Sequence, residues 1–102
     1  MPRKPAPQSA AVLQLGQVLD LNAAAPLLNE FLALRGRNVD VDASAVERLG
    51  AQCLQVLLSA RRTWDADGRA LTLVDPSTDF TATLALLGAP IERHFNSREL
   101  SA

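Results

Sequence analysis

The chain has 102 residues, 48 % of them apolar and 21 % charged, which fits one globular domain with one core and leaves little room for a second. Ten basic residues oppose eleven acidic ones, so neither nucleic acid nor an anionic membrane surface has an electrostatic reason to bind, and four aromatics are too few to stack on exposed bases. The single cysteine, Cys53, excludes an intramolecular disulfide and points to a reducing compartment, and no apolar run approaches the roughly 20 residues that span a bilayer.

The start, MPRKPAPQSA, is basic and Pro-rich, with no apolar stretch of signal-peptide length behind it. Residues 1–8 are expected to be a disordered tail, with Arg3 and Lys4 solubilising, and the protein is expected in the cytoplasm. Residues 10–15, AAVLQL, suit a short strand. After Gly16, residues 17–20 form a candidate second strand that turns back on the first. Asn22 can cap a helix over 23–35 whose apolar positions Ala24, Leu27, Leu28, Phe31 and Leu34 are spaced for one face. Pro26 then belongs in the first turn, where its missing N–H costs nothing, and Gly36 ends the helix.

Residues 38–42, NVDVD, alternate as a strand does. A polar loop leads into a helix over 50–65, with Leu49, Cys53, Val56, Leu57, Ala60 and Trp64 on its stripe and Gly68 closing it. Residues 70–74, ALTLV, are apolar enough for a central strand of a parallel sheet. Asp75-Pro76 reads as a cap and first residue of a helix over 76–87, buried through Phe80, Leu84 and Leu87 and stopped by Gly88 and Pro90. In the tail, Ile91 and Phe95 can dock as a short strand or turn. Helices alternating with strands imply crossover connections and a mostly parallel sheet, an α/β domain over residues 9–96 with a flexible C-terminus at 97–102.

Catalytic patterns are missing. There is no Gly-rich phosphate loop and no metal-ligand spacing, so no cofactor and no metal are expected. The pairs Asp65/Asp67 and Asp75/Asp79 fall at helix ends, where capping and solvation are their ordinary uses, and His94 has no orienting neighbour in view. Cys53 lies near a helix start, which lowers thiol pKa, but also on the apolar stripe, where free cysteine is inert; the buried reading is preferred over a nucleophile or redox sensor.

The stretch Asp42-x-Ser44-x-Val46, then Leu49 and the helical run Leu54-Gln55-Val56-Leu57-Leu58, resembles the STAS family, named for sulfate transporters and anti-sigma factor antagonists, whose members read approximately D-L-S-x-V-x-F-I-D-S-S-G-L here. Gly16-Gln17-Val18-Leu19-Asp20 resembles the family's early G-x-[LI]-D motif, Gly68 to Ser77 its approach to the third helix, and Leu86-Leu87-Gly88 that helix's end, so the resemblance covers about residues 10–90. It implies the STAS-like fold, a mixed, mostly parallel sheet of about four strands with helices at 23–35, 50–65 and 76–87.

The resemblance also implies a switch that this chain lacks. In phosphoregulated members a serine after the loop aspartate is phosphorylated by a partner kinase; here Gly50 stands at the aspartate, Ala51 at that serine, Gln52 at the second serine and Cys53 at the glycine. Alanine has no oxygen to phosphorylate, so the added charge that releases a partner has no place to form. Ser44 matches the earlier serine of the motif and reads as a turn residue. Ser44, Gly50, Ala51, Gln52 and Gln55 are the candidate partner-binding residues; Gly50-Ala51 either offers free helix N–H groups to a partner or does no more than start the helix. The expected function is a non-catalytic protein-binding module of bacterial signalling, its partner a kinase of the chemotaxis histidine type or an anti-sigma factor. The alternative is a cytosolic STAS subunit of an ABC-type lipid transporter. Neither nucleic-acid binding nor direct membrane insertion is expected.

Overall fold

The computed structural model describes residues 10–98. The tail expected at 1–8 and residues 99–102 of the C-terminal segment lie outside them. The elements run β1 (Ala11–Gln14), β2 (Val18–Leu19), α1 (Leu21–Ala33), β3 (Val39–Asp42), β4 (Arg48–Leu49), α2 (Ala51–Asp67), β5 (Leu71–Val74), α3 (Thr78–Leu86), α4 (Ile91–His94) and β6 (Asn96–Arg98). The main sheet has the order β1-β3-β5-β6, and β2 with β4 makes a separate two-stranded ladder; every pairing among the described residues is parallel.

The α/β architecture with a mostly parallel four-stranded sheet is as the sequence implies. Register explains its two faces. Ala11, Val39 and Leu71 align in one row and Leu13, Val41 and Leu73 in another, and these apolar side chains are buried, Ala11 partly so. Leu27 and Phe31 of α1, Leu57, Ala60 and Trp64 of α2, and Phe80 and Leu84 of α3 complete one core. The intervening row, Val12, Asp40, Thr72 and Asn96, belongs to the opposite face, where Arg98 reaches across β5 to Asp40 at 2.7 Å.

Four local expectations are corrected. First, β2 does not turn back on β1. It lies beside β4, with Val18 opposite Arg48 and Leu19 opposite Leu49. Leu49 is therefore a strand residue, and α2 begins only at Ala51 behind an N-cap Gly50. Second, α1 starts two residues early, capped by the Asp20 carboxylate, which accepts from Ala23 N–H at 3.2 Å. The ladder holds Leu19, so the chain turns into the helix at the next residue, and that residue supplies the oxygen. Third, Pro26 is then the sixth helical residue, outside the first turn. It and Asn22, whose carbonyl loses its usual partner, are both exposed, so water can satisfy that carbonyl.

Fourth, Asp75 does not cap α3. Its N–H continues the sheet onto the Arg98 carbonyl at 2.6 Å, and its φ is +52°, a left-handed turn that Asp tolerates. Ser77 caps instead, accepting from Phe80 N–H at 3.0 Å, so α3 is shorter than 76–87. The tail makes a short helix from Ile91, buries Phe95 and ends in β6.

Trp64 fastens α1 to α2. It is 1 % exposed, meets Phe31 edge to face at 5.8 Å, and donates its indole N–H to the Arg37 carbonyl at 2.7 Å. Trp64→Ala should cost about 3–5 kcal/mol, read as a lower urea midpoint with little change in slope.

Candidate functional site

The candidate site is the loop 43–50 and the start of α2, fixed from two sides. On one side the Gln17 carbonyl accepts from Glu47 N–H at 2.8 Å and Arg48 N–H at 3.1 Å, and the Leu19 carbonyl accepts from Gly50 N–H at 2.8 Å. A Cβ at position 50 would lie 3.3 Å from that same carbonyl oxygen, so a residue without a side chain suits this approach. On the other side Ala43 donates to the Val74 carbonyl at 3.1 Å and accepts from Ser77 N–H at 3.1 Å. The Ser77 hydroxyl donates to the Val46 carbonyl at 2.6 Å while accepting from Phe80. Ala43, Val46 and Leu49 are buried, so the loop has its own anchors in the core.

The five candidate residues divide. Ala51, Gln52 and Gln55 are exposed on the first turns of α2, the i,i+3 and i,i+4 spacing that shares one surface, with Gly50 half-buried behind them. Ser44 is exposed but committed elsewhere: its hydroxyl and its N–H both donate to one Asp42 carboxylate oxygen, at 2.6 and 2.9 Å. Ser44 thus sits in a turn, but the side chain that bonds the turn backbone is that of Asp42, not its own. The start of α2 has no side-chain cap and no acidic residue in its first turn, so its free N–H groups and partial positive charge face outward.

Three features here were missed in the sequence. Asp20 caps α1 and its carbonyl accepts from the Cys53 thiol at 3.3 Å, tying the two helix starts together. Ser77 locks the loop; a serine just ahead of the Phe80 stripe was the signal, obscured by Asp75-Pro76. Leu21 opens α1 at the position Ala51 has in α2, and is 71 % exposed.

The chemistry is sparse. Cys53 is fully buried, and desolvation, with the negative charge of Asp20 behind it, pushes its thiol pKa up. Asp65 pairs with Arg61 and Asp67 with Arg35, each at 3.0 Å, so the two carboxylates serve separate ion pairs. His94 is exposed, and no group of three His, Cys, Asp or Glu among the described residues could hold a metal.

A family model described as "Mlab, STAS domain" matches residues 3–90. A crystal structure of a candidate anti-sigma factor antagonist from Thermotoga maritima is similar over 92 % of this chain and 84 % of that one, with a TM-score of 0.71 at 19 % identity, a likeness of fold. No curated protein matches the sequence significantly.

Ser77→Ala should cost about 0.5–2 kcal/mol of stability, since it removes a helix cap as well as the tie to Val46, whereas Ser44→Ala, exposed and bonded only within its turn, should cost about 0.5–1.5 kcal/mol at most; urea unfolding of both orders them. The raised thiol pKa and full burial of Cys53 predict slow labelling by a thiol reagent at pH 7–8, where little thiolate forms, and fast labelling once urea unfolds the chain.

Proposed function

The chain belongs to the STAS domain family, and on that premise we propose that it is a non-catalytic protein-binding module of bacterial signalling, acting in the cytoplasm and always competent to bind. One observation carries this reading. The start of α2 is exposed, uncharged and uncapped, and Ala51 supplies no oxygen at the position where phosphoregulated members carry their serine. Ala51, Gln52 and Gln55 let a partner's backbone approach, and the free N–H groups suit a carbonyl or carboxylate from that partner. The partner we favour is a kinase-type protein, a chemotaxis histidine kinase or an anti-sigma factor. Ser44 contributes by shaping the loop through Asp42, without being modified.

An unswitched surface equally suits a permanent subunit. The second reading is therefore a cytosolic STAS subunit of an ABC-type lipid transporter, and the identity of the protein captured separates the two. No described helix is long and apolar enough to cross a membrane, so attachment to such a transporter would run through protein contacts.

Ala51→Glu tests the site. The added charge at a helix N-terminus favours the fold by about 0.3–1 kcal/mol, so the melting temperature should hold or rise slightly. Binding should weaken by about 3–5 kcal/mol where that charge is desolvated without a match. Pull-downs from native lysate with wild type and Ala51→Glu, beside thermal melts of both, should show the partner lost from a folded variant. Equal recovery by folded Ala51→Glu would place the interface elsewhere.

A further inference from the structure

The strand β6 has few fastenings. It pairs with β5 over three residues, Thr72 with Asn96, Leu73 with Ser97 and Val74 with Arg98, and its own side chains are all exposed. Of residues 95–98 only Phe95 is buried. Two further ties lie at the surface: Arg61 donates to the His94 carbonyl at 2.8 Å, and Arg98 pairs with Asp40 at 2.7 Å. Few buried apolar contacts and exposed ladder bonds mark a segment that opens locally, ahead of the rest of the fold. Both α4 and β6 lie beyond residues 3–90, the span that the family model matches.

The end of this ladder reaches the candidate site. The Arg98 carbonyl accepts from Asp75 N–H at 2.6 Å, and among the described residues Asp75 alone, glycines aside, has a positive φ, +52°. Pro76 follows it, and a residue before proline favours extended backbone. Asp75 is thus held against its own preference. Two residues on, Ser77 carries the loop, with its N–H on the Ala43 carbonyl at 3.1 Å and its hydroxyl on the Val46 carbonyl at 2.6 Å. We propose that β6 is a latch on the loop 43–50. Seated on β5, it fixes the Asp75-Pro76 turn that brings Ser77 to Ala43 and Val46. Unseated, it lets Asp75 return to extended backbone, which draws Ser77 off the loop and uncaps α3. The platform then loses one of its two supports and keeps only the β2–β4 side. The effect on partner binding rests on the reading of this loop given above; the latch itself does not.

Amide hydrogen exchange of the full chain, followed residue by residue by NMR, tests the latch with no partner present. Arg98→Pro removes an N–H that faces β5 together with its carbonyl, and removes the pair with Asp40. In a variant with wild-type circular dichroism, exchange at Asp75, Ser77 and Phe80 should quicken together by about tenfold. Gly50, bonded to Leu19 on the other side of the loop, should keep its wild-type rate. In wild type, dilute urea should show the same three amides sharing one opening that comes before that of Gly50, and this series decides if Arg98→Pro fails to fold. Faster exchange at Asp75 with Ser77 and Phe80 unchanged overturns the proposal. So does a wild type in which Ser77 and Phe80 open only when Gly50 does. Pull-downs then separate the latch from the binding site. Folded Arg98→Pro should recover less partner than wild type; equal recovery where Ala51→Glu abolishes capture removes the latch from binding. Equal recovery by both variants overturns the reading of the site and leaves the exchange result standing.

Discussion

The rest of the structure depends on the short β2–β4 ladder, closed by the Gly50 N–H on the Leu19 carbonyl at 2.8 Å. Each strand has only two residues, yet each leads directly into a long helix. Aligning Leu19 with Leu49 sets Asp20 beside Gly50, and thereby starts α1 and α2 at the same level. From there the two helices share one side of the core, which is why Phe31 meets Trp64 near their far ends. The same ladder, with the Ser77 tie on the opposite side, turns the loop after β3 from a free connection into a fixed platform.

The fold was largely legible because its signals are periodic. The α2 stripe, the alternation of residues 38–42 and the apolar run at 70–74 each report burial against a neighbour, and burial is what residue type encodes most directly. What stayed hidden were pairings between distant segments. Val18-Leu19 looks the same whether it turns back on β1 or lies beside β4, because two residues carry no register. Asn22 and Asp75 are good capping residues passed over in favour of Asp20 and Ser77, since the ladder and β6 decide where the chain leaves the sheet. In the site, the exposure of Gln55 followed from the stripe it lies off. Leu21 was missed because the helix was expected to start only at 23, which left it in the connection after the strand at 17–20.

The start of α2 gives up a contribution that helices ordinarily have. A Ser or Asp cap is worth about a few tenths of a kcal/mol over Gly, and Gly50 offers no side-chain acceptor. The helix holds because its other end closes on Gly68 in the left-handed conformation and its middle is buried through Leu57, Ala60 and Trp64. Stability is thus concentrated away from the exposed start, which leaves those N–H groups unclaimed by the fold itself.

The all-parallel topology bears on how the chain comes to be folded. Among the described residues no two paired strands are joined by a tight turn: Ala11 finds Val39, Val39 finds Leu71, Thr72 finds Asn96, and Val18 finds Arg48. Each match closes a long loop before any ladder contact offsets its entropy. During synthesis from the N-terminus β1 has no partner in the described sheet until β3 has been made, and β6 emerges after β5, beside which it pairs. Helical segments such as 51–67 can form locally in the meantime. Assembly should therefore proceed as helices first and sheet afterwards, with the β2–β4 clasp as an early long-range commitment.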